Sequence, residues 1–475
     1  MTSVAATRRA ASRHPRGAAT PAAGASLLVP WLYALLATAL CAFFATIGGD
    51  ARWLAALGRE IVHRGGIPDG VPYASAASAG WQNVPVLGEL ATYAVHSGLG
   101  DRGFLLLQVA ALALAFGLVA ADARRAGAGE RGIAFALLVL AVAAFPALTI
   151  VRAQVFSLAL FPVLLLLLRT EARAPSRRVW LLVPLVALWS NLHGAVLVGV
   201  TVAGAYLLLS RARRSAVTAA SVLAATLLAL CLTPSLYRTP LYYLGVLENE
   251  SARRHYGLWA RLSFDSGVDV VVIVGTLLLL AMALRARPAA WEIVALAGLA
   301  ALTAQAGRNG VWLAAFAASH AARGLQRSAP SRARLASPLR VAFFSVAIVT
   351  AIFAFARGPL ELTAGDRLVR QAIDAAHGTP ILAENQMAEQ VALAGGRVWI
   401  ANPIDAFTQA DQRAYLDWVE GLPSGDAALE HAPRAVLVSR GGSAERRLAA
   451  DGGFRRLAAD PRAVLYLRTA PASSS

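Results

Sequence analysis

Four stretches of this sequence place polar side chains at the edges of apolar runs: Asp50, Arg152-Ala153-Gln154, Asn191-Leu192-His193 and Arg308-Asn309. A carboxylate, two guanidiniums, an imidazole and three amides are groups that can move a proton or hold an anion. A charged side chain costs up to ~3 kcal/mol near the centre of a bilayer and less at its interface, so residues placed this way as a rule face a cavity. Simpler readings stand beside this one. Asp50 could cap a helix or pair with Arg52, the two arginines could reach lipid headgroups, and His193 could be a satisfied structural histidine.

The elements that must position these groups are long apolar runs. The chain has 475 residues, of which 57% are hydrophobic and 15% charged, and its mean hydropathy is +0.56. A helical span needs roughly 20 apolar residues, and runs of about this kind fall near 27–47, 103–121, 132–149, 154–168, 179–191, 194–210, 216–233, 267–284, 291–306, 310–323 and 339–356. The segments 132–168 and 179–210 are each too long for one crossing, so each is read as two with a tight turn. The stretch Ser26–Ile47 follows a basic N-terminus but is too long for a secretory signal core, and is read as a retained first span.

Arginine then orients the chain. Arg8 to Arg16, Arg124/Arg125/Arg131, Arg169/Arg173/Arg177/Arg178, Arg211/Arg213/Arg214, Arg285/Arg287 and Arg323 to Arg340 fall on every second connection, which the positive-inside rule makes cytoplasmic. The formal charge of +17 is therefore topological, and nucleic acid is not an expected partner. The connections 48–102, 149–153, 191–193, 234–266 and 307–309 lie outside, together with everything after Arg357. All four polar stretches fall on that side.

The expected fold is an α-helical polytopic membrane protein of about eleven spans, N-terminus inside and C-terminus outside, with a small C-terminal α/β domain. The expected units are a basic N-terminus at 1–25, a transmembrane domain at 26–357, an extracytoplasmic domain at 358–469 and a disordered tail at 470–475. Within the third unit, Pro380–Ala383, Arg397–Ile400, Ala435–Ser439 and Ala463–Leu467 read as strands, and 385–394, 410–420 and 443–451 as helices. In the first outer loop, Trp53, Leu54, Leu57, Ile61 and Val62 share one side of an amphipathic helix that would lie along the membrane. Cys41 and Cys231 both fall within spans and the C-terminal unit has no cysteine, which excludes a disulfide framework there. No phosphate-binding loop, zinc-protease motif or nucleophile elbow is present.

The run Gly49-Asp50-Ala51-Arg52-Trp53, with Gly58, Ile61, Gly66, Ile67, Pro68, Trp81 and Glu89 after it, resembles the first outer loop of a bacterial branch of the GT-C membrane glycosyltransferases. Arg152-Ala153-Gln154 is similar to that branch's Arg-Pro-Gln turn, with alanine for proline. Trp189-Ser190-Asn191-Leu192-His193-Gly194 is similar to its Trp-x-Asn-x-His-Gly turn, and Arg308-Asn309 to a later Arg-Asn turn. The resemblance covers roughly residues 30–320, and the tail runs Gly395–Trp399 and Asn402–Asp405 are similar to tails in the same branch.

The resemblance implies transfer of a sugar from a polyprenyl-phosphate donor to a glycan or protein acceptor at the outer face of the cell membrane, with membrane lipid as a further partner. It implies Asp50 as the base, Arg152 and Arg308 as clamps on the phosphate, and Trp53, Gln154, Asn191, His193 and Asn309 as substrate-binding residues. Members often carry two acidic residues in the first loop. Here none stands beside Asp50, with Asp69 and Glu89 more distant, so a divalent metal is left open. The rival reading is a non-catalytic GT-C-like scaffold that binds lipid-linked glycans during envelope assembly. A transporter is disfavoured, because the polar residues gather at the outer mouth rather than at mid-membrane in broken helices.

Overall fold

The computed structural model describes residues 28–325, 337–431 and 433–469. The basic N-terminus at 1–25, the start of the first span, Arg327, Arg332 and Arg334, and the tail at 470–475 lie outside them. Each of the eleven apolar segments coincides with helix. In chain order, α1 (Leu28–Phe43) leads through β1 (Thr46–Ile47) to α2 (Gly49–Arg64), α3 (Val86–Leu99) and α4 (Asp101–Arg125). Then come α5 (Glu130–Ala143), the short α6 (Phe145–Thr149), β2 (Ile150–Val151), α7 (Val155–Arg173), α8 (Leu182–Ser190), α9 (Val196–Tyr206) and α10 (Ala216–Ala229). The connection after α10 carries α11 (Thr239–Glu248) and α12 (Glu250–Arg253), and α13 (Gly267–Arg285), α14 (Ala290–Gln305), α15 (Gly310–Gly324) and α16 (Ser337–Arg357) complete the helical domain.

Among the described residues, α4, α7 and α13 are long and apolar enough to cross a membrane by length and composition alone. Five shorter apolar helices accompany them, at Trp31–Phe43, Val196–Arg211, Ala216–Ala229, Ala290–Gln305 and Phe344–Arg357. Large aromatics hold the bundle together: Phe161 meets Trp312 edge-on at 5.4 Å and Tyr206 meets Trp291 at 5.4 Å, the offset geometry that ring quadrupoles favour. On the outside, Val271, Val274 and Leu277 of α13 and Val349, Ile352 and Phe353 of α16 remain exposed, as helices bathed in hydrocarbon leave them.

The C-terminal part contains α17 (Asp366–Ala376), β3 (Leu382–Ala383), α18 (Gln386–Leu393), α19 (Gln409–Glu420), α20 (Ala427–Glu430), β4 (Ala435–Ser439), α21 (Ser443–Ala450), β5 (Phe454–Ala459) and β6 (Ala463–Arg468). Its sheet runs β3-β4-β6-β5, parallel between β3 and β4 and antiparallel elsewhere. Helices α17 and α20 were not read from sequence, and two strand assignments also differ. Residues 397–400 do not form a strand of this sheet; Val398 bridges Ala74 of the first outer loop on one side and Ile381 on the other. A strand also lies at Phe454–Ala459, where Gly452-Gly453 reads only as a turn.

The amphipathic helix α2 has another partner than the expected one. Trp53, Leu54 and Leu57 are buried, and they join Val71 and Tyr73 in one core with Leu368, Val391, Trp399 and the strands of the C-terminal part. Protein therefore covers the apolar side that was expected to face lipid; Val62, near the end of the helix, stays exposed. Helix α2 lies between α3 and α18. It begins with Asp50 in its first turn, where an acid suits the helix dipole, and ends at Gly65, whose left-handed conformation (φ +67°) lets its N–H reach the Ile61 carbonyl.

Candidate active site

Asp50 is fixed by a short piece of parallel sheet. Thr46 and Ile47 pair with Ile150 and Val151, and the Gly48 N–H donates to the Val151 carbonyl at 2.9 Å. A Cβ on Gly48 would sit 3.1 Å from Cγ of Arg152, so the Asp50 and Arg152 turns run side by side. The backbone also passes the tail closely. A Cβ on Gly49 would lie 3.0 Å from Oε2 of Glu389 and 3.4 Å from Cγ of Gln386, both on α18.

The third turn is tied in through α3. The Gly88 N–H donates to the Asn191 carbonyl at 3.1 Å, and a Cβ there would meet the Leu192 carbonyl oxygen at 2.5 Å. Only glycine allows this approach. The Asn191 side-chain amide donates to the carbonyls of Ala187 at 2.8 Å and Leu232 at 2.7 Å. Behind it, Trp189 Nε1 donates to Ser157 Oγ, and Ser157 lies 2.7 Å from His193 Nδ1. The Ala195 N–H also donates to Nδ1, at 3.3 Å. With Nδ1 as acceptor, the ring proton sits on Nε2. Burial first, and the Arg308 charge second, lower the imidazole pKa to about 3, so His193 is a neutral donor at physiological pH.

Arg308 arrives from the turn between α14 and α15. Its guanidinium stacks 3.5 Å above the Trp259 ring, and the Gly307 N–H donates to the Ala260 carbonyl. Burial lowers its pKa to about 10 against the favourable field of Asp50. Arg152 is lowered by burial and supported by Asp50 in the same way. Asp50, Arg152, Arg308 and His193 therefore share one electrostatic neighbourhood, with Tyr242 of α11 also in the field of Arg308. Among the described residues neither arginine forms an ion pair, and Asp50 forms none either.

The remaining expected site residues brace this cluster. The Gln154 amide donates to the Ala147 carbonyl at 3.0 Å, and the Asn309 amide to the Leu302 carbonyl at 3.0 Å. Trp53 is buried in the core shared with the C-terminal part. Asp69 accepts from the Gly80 N–H in a turn. Glu89 is fully buried on α3, bonded to Asn83 at 2.8 Å, and burial raises its pKa to about 8 against that bond.

Residues not singled out as site members also enter. Ser157 links Trp189 to His193. Asp405 accepts from Trp81 Nε1 at 2.9 Å, and Trp81 meets the Tyr242 ring at 6.4 Å. Glu389 is 1% exposed, and its Oε1 accepts from both the backbone and side-chain N–H groups of Asn402 at 2.9 Å. The signals for the tail's involvement were the Gly395–Trp399 and Asn402–Asp405 runs.

A divalent metal is not well served here. Among the described residues no three histidine, cysteine or acidic side chains gather into a ligand set, and the space around Asp50 already carries the positive charge of Arg152 and Arg308.

The fold is GT-C-like. It is similar to two crystal structures of ArnT from Cupriavidus metallidurans. The one bound to undecaprenyl phosphate aligns with a TM-score of 0.50 and 14% identity over 94% of this chain and 97% of that one. The apo form aligns with a TM-score of 0.52 and 15% identity over 93% of this chain and 98% of that one. No protein-family model and no curated protein matches the sequence.

Proposed function

We propose that this protein is a membrane glycosyltransferase that moves a sugar from a polyprenyl-phosphate donor to an acceptor hydroxyl at the outer face of the membrane. The observation that carries the reading is the grouping of Asp50 with Arg152 and Arg308 in one cluster whose charges are not paired with one another, within a GT-C-type fold. Undecaprenyl phosphate in the ArnT structure supports a lipid phosphate as the group this cluster receives. The proposed topology is the eleven-span arrangement that the arginine pattern gives, with the C-terminal domain extracytoplasmic.

In this reading Asp50 accepts the proton of the acceptor hydroxyl as its oxygen attacks the anomeric carbon. The bond from that carbon to the phosphate oxygen breaks, and its electron pair leaves with the lipid phosphate. Arg152 and Arg308 hold the developing charge, for which guanidinium forks are well suited. His193, neutral and with its proton on Nε2, donates a hydrogen bond without adding charge. Asn191, Gln154 and Asn309 keep the three turns in register. Trp53 serves by packing α2 against the C-terminal domain.

The test is to assay the purified full-length protein in lipid nanodiscs against a panel of polyprenyl-phosphate sugars, with lipid and polysaccharide acceptors. Transfer by the wild type and its loss in Asp50→Asn support the reading. Equal activity of the two proteins would sink it.

A further inference from the structure

Helix α18 lays two buried, unpartnered acceptor oxygens against the start of α2. Glu389 Oε1 is saturated by the two N–H groups of Asn402. Its Oε2, buried and 3.0 Å from where a Gly49 Cβ would be, has no hydrogen-bond partner, and neither has the buried Oε1 of Gln386 one turn earlier. The Asp50 carboxylate, on the residue after Gly49, makes its charge felt at Glu389. A buried carboxylate oxygen without a donor is costly, and a proton taken up by Oε2 of Glu389 removes that cost.

We propose that Glu389 is the proton-relay partner of Asp50, a positioning residue contributed by the C-terminal domain that receives the proton Asp50 takes from the acceptor. This rests on the glycosyl-transfer reading and deepens it. The acceptor O–H bond breaks and its proton goes to Asp50. The acceptor oxygen bonds to the anomeric carbon, and the phosphate leaves with the electron pair. The proton then passes from Asp50 to the Oε2 of Glu389, and from there to water when product departs. Asp50 is left ionised for the next turnover.

The surroundings place this titration where a relay can use it. Burial raises the Glu389 pKa to about 7, the Asn402 donors oppose that rise, and the Asp50 charge adds to it. The other groups facing it are Arg52 on α2, Tyr73 in the first outer loop and Tyr415 on α19. Two like charges that cannot both be comfortable share one proton, the arrangement by which paired carboxylates divide acid and base work.

Two readouts on the full-length protein test the relay. The first needs no substrate. Infrared difference spectra of wild type against Glu389→Gln, taken through pH 5 to 9, are expected to show one carboxylic acid band titrating near pH 7. That band should move to lower pH in Asp50→Asn, where the neighbouring charge is gone. A band that is absent, or that Asp50→Asn leaves in place, overturns the proposal.

The second readout is the pH dependence of transfer. The wild-type rate should rise through about pH 7 and level off, since the relay must start ionised. Glu389→Gln should abolish that rise and lower the plateau by about 10-fold, below the range typical of a direct acid–base group. Asn402→Ala, which keeps the carboxylate but removes one donor, should move the rise to higher pH. Should Glu389→Gln keep the wild-type profile while Asp50→Asn is inactive, the relay is wrong and the glycosyl-transfer reading stands. Wild-type transfer by Asp50→Asn, even with the infrared coupling intact, would bring down both.

Discussion

Two groups of charged side chains sit at opposite ends of α7 and α15, and they are built on opposite rules. At one end Arg169 donates to Asp122 at 2.6 Å, to Glu292 at 3.2 Å and to the Phe316 carbonyl at 2.8 Å, while its guanidinium lies 4.8 Å from the Phe316 ring centroid. His320 adds a 2.7 Å bond to Glu292. All four ionisable groups are buried, and Arg169 is bonded in three directions. At the other end Asp50, Arg152 and Arg308 feel one another's fields but no ion pair closes the space between them. A network whose opposite charges are bonded to one another can tie helix ends together and has little left to offer a ligand. A cluster whose opposite charges are held apart keeps its binding energy for something that enters. The difference favours a structural role for one end and supports the proposed site at the other.

The sharpest way to break this contrast is Asp50→Asn, expected to lower transfer by at least ~100-fold while the melting temperature stays that of the wild type. A large fall in melting temperature would move Asp50 to the structural side. The converse substitution is Arg169→Met. It removes the guanidinium shared by two buried carboxylates, leaving Asp122 with Arg173 and Glu292 with His320, and should cost about 3 kcal/mol of stability, read by denaturant unfolding in detergent, with activity per folded molecule unchanged. Arg308→Gln comes next: donor affinity should fall by roughly 1.5–3 kcal/mol, the scale of a hydrogen bond to a charged group, seen as a raised KM for the lipid-linked sugar.

A smaller effect comes from Glu89, whose folded pKa of about 8 lies above its ordinary value of 4.5. The protonated form is the one the fold prefers, so its contribution is complete below about pH 4.5 and is lost as pH rises towards 8. Glu89→Gln should make the decline of stability with pH shallower in that window, with Glu389 accounting for a remaining slope. The smallest change is expected from Trp81→Phe, which keeps the ring but loses the bond to Asp405. It should cost about 1 kcal/mol and loosen the C-terminal domain, visible as faster hydrogen exchange in 398–407.

The helical half was legible because a bilayer demands long apolar segments, and each of the eleven runs read from sequence is helical. The polar turns were legible for the same reason: Arg152, His193 and Arg308 stand out against apolar neighbours. What was hidden depends on contacts between distant parts of the chain. Nothing near Glu389 distinguishes it from any helix glutamate; its significance comes from Gly49, 340 residues earlier, against which it packs. The burial of α2 was hidden likewise, since an apolar side reads identically whether lipid or protein will cover it. Ser157 gave no signal because a hydroxyl in an apolar run ordinarily bonds its own helix backbone, whereas here it bridges Trp189 and His193. The β5 strand was masked by its two arginines, which alternate poorly with the single buried Phe454.

The small sheet beside Asp50 takes a third participant: Leu360 bridges Thr46, and its N–H donates to the Ala45 carbonyl at 2.7 Å. This joins the connection after α1, the Arg152 turn and the segment following α16 in one seam. During synthesis the first two emerge early and the third only after α16 has been made, with α18 and the Asn402 loop later still. The nascent protein therefore passes through most of its assembly with the seam open and the acidic corner unfinished. The corner that the proposed reaction would use is thus completed from the far end of the chain.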